Sequence, residues 1–209
     1  RVVVLRHDVD RDPRRAHQMA KLEHGMGVRS SYYFRHTPGV FRPQVIADVA
    51  AMGHEVGYHY ETLDRAHGDC EAAIRLFQSE LAEFRHVCDG RTIVMHGNPL
   101  TRWNNRDLWQ KYSLTDFGLV GEAYLSFHSI VYLSDTGRTW SLRNKVKDLM
   151  PAVDGRTTPQ PDVRSTDDLI RWLKAVESVD VYLTAHPERW AATASQWVAG
   201  IASDTAKNI

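Results

Sequence analysis

Three observations predict a distorted, incomplete (β/α) barrel of about seven strands, an α/β fold. Short apolar or aromatic runs alternate with stretches of helical periodicity, which implies parallel pairing through right-handed crossovers. These runs repeatedly stop in ionisable residues, and in such folds the strand ends converge on the face that binds ligand. Clear strands are too few for eight units, and a chain of 209 residues suits one domain spanning 1–209.

The first strand is the β-branched run from Val2 to Leu5, apolar enough to be buried on both faces. It runs into Arg6-His7-Asp8-Val9-Asp10, and Asp12-Pro13 then supplies an N-cap and a first helical residue. The helix from Pro13 to His24 turns Ala16, Met19, Ala20 and Leu22 to one side, and Gly25-Met26-Gly27 ends it. Ser31 to Phe34 is a second strand finishing in Arg35-His36-Thr37. Pro43 opens a helix from Gln44 to Met52, and Glu55 to Tyr58 leads as a third strand into His59-Tyr60-Glu61.

Ala73, Ile74, Phe77, Leu81 and Phe84 recur at helical spacing within Glu71 to Val87. Thr92 to Met95 is a fourth strand ending in His96-Gly97-Asn98-Pro99. Weaker signals mark a short helix around Asp107 to Lys111, strands at Gly118 to Tyr124 and Ile130 to Leu133, and the turn Asp135-Thr136-Gly137. Arg143 to Ser165 is aperiodic and long enough to predict a lid. Ser165 or Thr166 caps a helix carrying Leu169, Ile170, Leu173 and Val176, and a last strand from Val179 to Leu183 ends in Ala185-His186-Pro187. Trp172 and Trp197 fall at core spacing.

Lys plus Arg and Asp plus Glu number 26 each, so no charge excess points to nucleic acid or an anionic membrane, and a small or neutral partner is expected. No apolar run approaches the roughly 20 residues of a membrane span. Cys70 and Cys88 lie in or beside one helix, too far apart to pair without breaking it. With no signal peptide before the first strand, a cytoplasmic location is the expectation.

The strand ends bring together Asp8, Asp10, His36, His59, Glu61, His96, Asp135 and His186. Imidazoles and carboxylates without cysteine suit one divalent late first-row ion, zinc above all, with open positions for hydrolysis. A carboxylate would take a proton from water, and a histidine would protonate the leaving group. Asp often follows a strand only to cap a helix, but Asp12 already fills that role. Arg138 and Trp140 beyond the turn suit gripping an anionic group and stacking on a sugar. His186 sits before Pro187, where a helix dipole would lower an imidazole's pKa and Glu188 would oppose that. Arg6, His7 and His54 read as structural partners, His54 in the core.

These residues resemble the polysaccharide deacetylase superfamily of carbohydrate esterases, which remove N- or O-acetyl groups from sugars with a metal. The strand ending in Asp8 is similar to the family's first motif, which implies Asp8 as catalytic base and the next Asp as ligand, here one place later at Asp10. Gly53-His54-Glu55-Val56-Gly57-Tyr58-His59 is similar to the stretch leading to a metal-binding histidine, His59. Where the family has a second histidine four positions on, this chain has Leu63, so the third ligand comes from His96, Glu61, His36 or water, with His96 favoured. Met95 to Pro99 stands in place of the family's Arg- and Pro-containing motif, bringing Asn98 towards the substrate. Leu183-Thr184-Ala185-His186 resembles the closing motif, whose histidine is the general acid. The resemblance thus implies a deacetylase acting on a sugar or glycan precursor. A metal-dependent phosphoesterase or other C–N hydrolase, and a degenerate carbohydrate-binding module without turnover, are the alternatives.

Overall fold

The computed structural model describes residues 1–127, 130–141, 145, 147–150, 158–191 and 193–207. Seven strands form one wholly parallel sheet: β1 (Val3–Val9), β2 (Ser31–Arg35), β3 (Glu55–Tyr60), β4 (Thr92–Met95), β5 (Gly121–Glu122), β6 (Val131–Ser134) and β7 (Val181–Ala185). Their spatial order is β5-β4-β3-β2-β1-β7-β6, which places β1 inside the sheet with β2 and β7 as its neighbours. The sheet curls into a half-barrel open between β5 and β6, the incomplete barrel expected. The expected strand at 118–124 shrinks to two residues paired with β4.

The crossovers follow local chemistry. Helix α1 (Pro13–Gly25) starts where the Asp12 carboxylate accepts from Arg14 N and Arg15 N, satisfying two otherwise orphaned donors. It buries Pro13, Ala16 and Ala20, whereas Leu22 is 65 % exposed. At about 100° per residue Leu22 lies roughly 200° round the helix from Ala20, on the side away from the buried face, so it does not join the packing expected of it. Helix α2 (Pro43–Ala51) buries Ile46 and Val49.

Beyond the four-residue α3 (Thr62–Arg65), helix α4 (Cys70–Arg85) packs Ala73, Ile74, Phe77, Leu81 and Phe84 into the larger core. There Phe84 stacks on Tyr58, with centroids 5.0 Å apart. Cys70 and Cys88 are free and half-buried. Helix α5 (Thr166–Ala175) begins with a full capping box between Ser165 and Asp168 and covers a second core of Val131, Leu133, Trp140, Val163, Leu169, Val181 and Leu183. Trp172 packs against that core; Trp197, on α6 (Ala194–Lys207), is 55 % exposed and departs from its expected burial.

One polar cluster ties α1 to the sheet. Glu23 accepts from Ser30 Oγ and from Tyr32 OH at 2.7 Å, and lies 2.8 Å from His7 Nε2. His54, as expected, is buried, bridging Ser30 and the Ala20 carbonyl. Burial opposes the Glu23 charge, but His7, Ser30 and Tyr32 outweigh it and hold the carboxyl down at about 2. A depressed carboxyl stabilises the fold above its unfolded pKa near 4.5, and that contribution is lost as pH falls towards 2. Glu23→Gln is therefore expected to flatten the acid limb, with wild type losing about 1–3 kcal/mol more than the variant between pH 5 and pH 2. Denaturant titrations at the two pH values check this; parallel losses would refute it.

Candidate active site

Period-two alternation along β1 sends Arg6, Asp8 and Asp10 to one side of the sheet and His7 to the other. Arg6 is fully buried under the site. Its Nη2 donates to Asp8 Oδ2 at 2.9 Å and to Tyr124 OH at 2.8 Å, and its Nη1 donates to Tyr182 OH at 3.1 Å. The guanidinium carbon lies 4.5 Å from the Tyr124 ring centroid, so an aromatic cage and an ion pair share one buried cation. Asp8 is thereby fixed through Oδ2, while its buried Oδ1 makes no hydrogen bond.

A cavity of 570 Å³ opens at the C-terminal ends of the strands and is lined by Asp8, Asp10, His59, His96 and His186, with Asn98 and Arg138 on its wall. Asp10 is its electrostatic centre. Its Oδ1 lies 3.2 Å from His59 Nε2 and 3.6 Å from His96 Nε2, and its Oδ2 lies 3.9 Å from His186 Nε2. Burial disfavours the Asp10 charge, yet the three histidines hold its carboxyl well below the usual range. His96, buried and facing other cationic groups despite Asp10, is pushed down to about 3 and is a neutral donor at physiological pH. His59 Nδ1 donates to the Val94 carbonyl at 3.1 Å, which leaves Nε2 facing Asp10.

Asp10, His59 and His96 each offer a donor atom within 4.8 Å of the others. Asp10 Oδ1 is buried with no formed hydrogen bond although two imidazole nitrogens face it. Oxygen and nitrogen donors converging on one point suit a divalent cation, so the residues present fit a metal.

His186 is positioned differently from its sequence expectation. Only a three-residue turn, Pro187–Arg189, follows it, too short to carry a useful dipole. Its Nδ1 donates to Asp135 Oδ1 at 2.6 Å. Burial and Arg189 oppose the imidazolium, but Asp135 and Asp10 prevail and push His186 up to about 9. Asp135 is thus an orienting partner at the end of β6, and Trp190 Nε1 donates to its other oxygen at 3.0 Å.

Four expected residues do not line the cavity: Asp135, which backs His186, and His36, Trp140 and Glu61. His36 stands between Glu80, 3.3 Å away, and Glu83, 3.0 Å away, on α4. The reason is alternation: Arg35 pairs in register with His59 and shares its side, so the next residue points elsewhere. Trp140 is buried in the second core, its Nε1 donating to Thr166 Oγ1, and offers no face to a sugar. Glu61 lies just behind the wall, clamped by Arg35 Nη2 at 2.7 Å with His96 Nδ1 3.5 Å away.

Sequence reading missed Arg11, Arg35, Arg189 and Asp148, all lining the cavity. Arg35 was detectable from strand parity. Asp148 was not, because it lies in an aperiodic loop; it accepts from Tyr124 OH at 2.6 Å and from Tyr132 and Ser134, and Arg6 with these donors holds its carboxyl well below the usual range despite burial. Of the expected lid at 143–165, positions 143, 144, 146 and 151–157 lie outside the described residues.

No protein-family model matches the sequence, and no curated protein does. Solved structures do. A polysaccharide deacetylase from Bacillus cereus matches with a TM-score of 0.55 at 11% identity, covering 98% of this chain and 88% of that one. A carbohydrate esterase from Streptococcus mutans matches at 0.54 and 11% identity, over 99% and 80%. A family 4 carbohydrate esterase from Streptomyces lividans, in complex with acetate, matches at 0.50 and 13% identity, over 99% and 88%. The fold is that of the family 4 carbohydrate esterases. A Bacillus anthracis pseudoenzyme of that family shares it at 0.50 and 13% identity, and this chain spans 60% of that protein's length. Leu63 sits on α3 and is 3 % exposed, packed in the larger core.

Proposed function

We propose that the protein is a metal-dependent hydrolase that removes an N- or O-acetyl group from a sugar or glycan precursor. One observation carries this reading: a three-donor cluster, Asp10, His59 and His96, shares its cavity with an Arg-fixed carboxylate, Asp8, and a carboxylate-backed imidazole, His186. A divalent ion held there, zinc by its donor set, would polarise the acyl carbonyl and acidify water. Asp8, held in place by Arg6 and lining the cavity, takes the proton of the attacking water. His186, protonated up to about pH 9 and aimed by Asp135, gives a proton to the departing sugar nitrogen or oxygen. Asn98 and Arg138 hold the sugar from the wall.

A second reading, a carbohydrate-binding module without turnover, is favoured by Leu63 alone, since the core has absorbed a position that carries a ligand in the resembling family. Metal analysis of the purified chain together with an acetate-release assay on N-acetylglucosamine oligomers separates the two. The hydrolase reading expects one metal per chain and release of acetate. Metal-free protein that still binds the oligomers supports the module, and two metals about 3.5–4 Å apart would favour phosphoester chemistry instead.

A further inference from the structure

We infer that Asn105 and Asp64, neither of which lines the cavity, are positioning residues that set where the metal donor His96 stands. This deepens the hydrolase reading and rests on its metal centre, but it concerns how that centre is built and not how the acyl group is removed.

The need for them arises from the sheet. His96 is the first residue beyond β4, and its N–H still donates to the Tyr60 carbonyl of β3 at 2.7 Å. Carried one step further, the parallel ladder would bring the Thr62 N–H to the His96 carbonyl. Thr62 instead opens α3, so the ladder ends there. On the other side β5 pairs only with Thr92 and Ile93, and the Met95 N–H is met by the Glu122 carboxylate at 2.9 Å. The donor residue therefore sits where backbone pairing has run out. His59 does not: it lies inside β3, in register with Arg35 on one side and Val94 on the other.

Side chains take over at His96. The Asn105 amide is almost fully buried; its Nδ2 donates to the His96 carbonyl at 2.9 Å and to Asp64 Oδ2 at 3.2 Å, and its Oδ1 accepts from Asp64 N at 3.0 Å. Two donors and an acceptor are used at once, a set that only an amide side chain carries. Asp64 is itself buried, and its Oδ1 accepts from Thr101 Oγ1. Helix α3 also faces the ring, because its N-cap residue Glu61, clamped by Arg35, lies 3.5 Å from His96 Nδ1. One short helix thus governs both the backbone and the ring of His96, with Nε2 left towards Asp10.

A staple on the loop after β4 would account for Thr101, as it accounts for Lys147, whose Nζ donates to Thr101 Oγ1 and to the Trp103 carbonyl. It does not account for a buried amide that ends on the carbonyl of the donor residue itself. A metal donor has to be held to within roughly 0.5 Å of its productive place, and this bond is what replaces the missing ladder there.

The test is a competition titration of zinc against a chromophoric chelator on the full chain stripped of metal, with thermal unfolding of the same metal-free samples beside it. Asn105→Ala is expected to lower zinc affinity about 10–100-fold, and Asp64→Asn, which weakens the anchor of the amide, to lower it by less. Thr101→Val cuts the loop staple and spares the bond to His96, so it is expected to lower the melting temperature and leave zinc affinity unchanged. If Asn105→Ala does not fold, Asp64→Asn decides alone. Unchanged zinc affinity in the deciding variant overturns the inference, and so does an equal loss in Thr101→Val, which would make the contacts a staple of the whole loop. His96→Ala separates the bracket from the centre it serves. If His96→Ala loses zinc affinity while the Asn105 and Asp64 variants keep it, the bracket alone fails. If wild type takes up no zinc, or His96→Ala binds it normally, the three-donor centre fails and the bracket with it.

Discussion

Asp8→Asn is expected to keep a full complement of metal and to lose about 10²–10⁴-fold in turnover, the usual cost of removing a positioned general base. The amide oxygen can still accept from Arg6 Nη2, so the buried cation keeps a partner and the fold survives. What disappears is the negative charge that lets Asp8, which lines the cavity, take a proton. Metal content by mass spectrometry and kcat on an acetylated sugar read the two halves separately. Recovery of rate on adding excess metal would show that Asp8 holds the ion and is not the base.

Asp10→Ala is expected to fail for the opposite reason. Removing the carboxylate that two imidazole nitrogens face at 3.2 and 3.6 Å takes away the one anionic donor of the cluster. Metal affinity should fall by more than the roughly 10–100-fold typical of losing a residue that only supports a ligand. The rate should fall with it and recover in part when metal is added. A competition titration against a chromophoric chelator gives the affinity directly. If Asp10→Ala binds metal normally yet is inactive, the two aspartates have exchanged duties.

How far the site was legible depended on the periodicity that carried each residue. Asp8, Asp10 and His59 lie on buried strands or immediately beyond them, where a two-residue repeat fixes which side each faces, and all three line the cavity. The same rule, applied one residue out of step, chose His36 over Arg35, although Arg35 is the residue in register with His59. Trp140 and Arg138 looked equivalent as neighbours of one turn. Only the left-handed backbone at Gly137 and Arg138 sends the arginine into the cavity while the tryptophan turns into the core under α5.

The amino-acid sequence by itself determined the alternation of strand and helix, the parallel sheet it implies and the ends at which polar groups emerge, because these depend on local period and on capping by residues such as Asp12 and Ser165. Tertiary structure alone decided what each polar group meets. His186 draws its raised pKa from Asp135, 51 positions away, and not from the turn beside it. Arg6 finds its tyrosines at positions 124, 132 and 182. Such pairings arise from strand order, in which β1 comes to lie beside β7, and electrostatic energy depends on separation in space, about which separation along the chain says nothing.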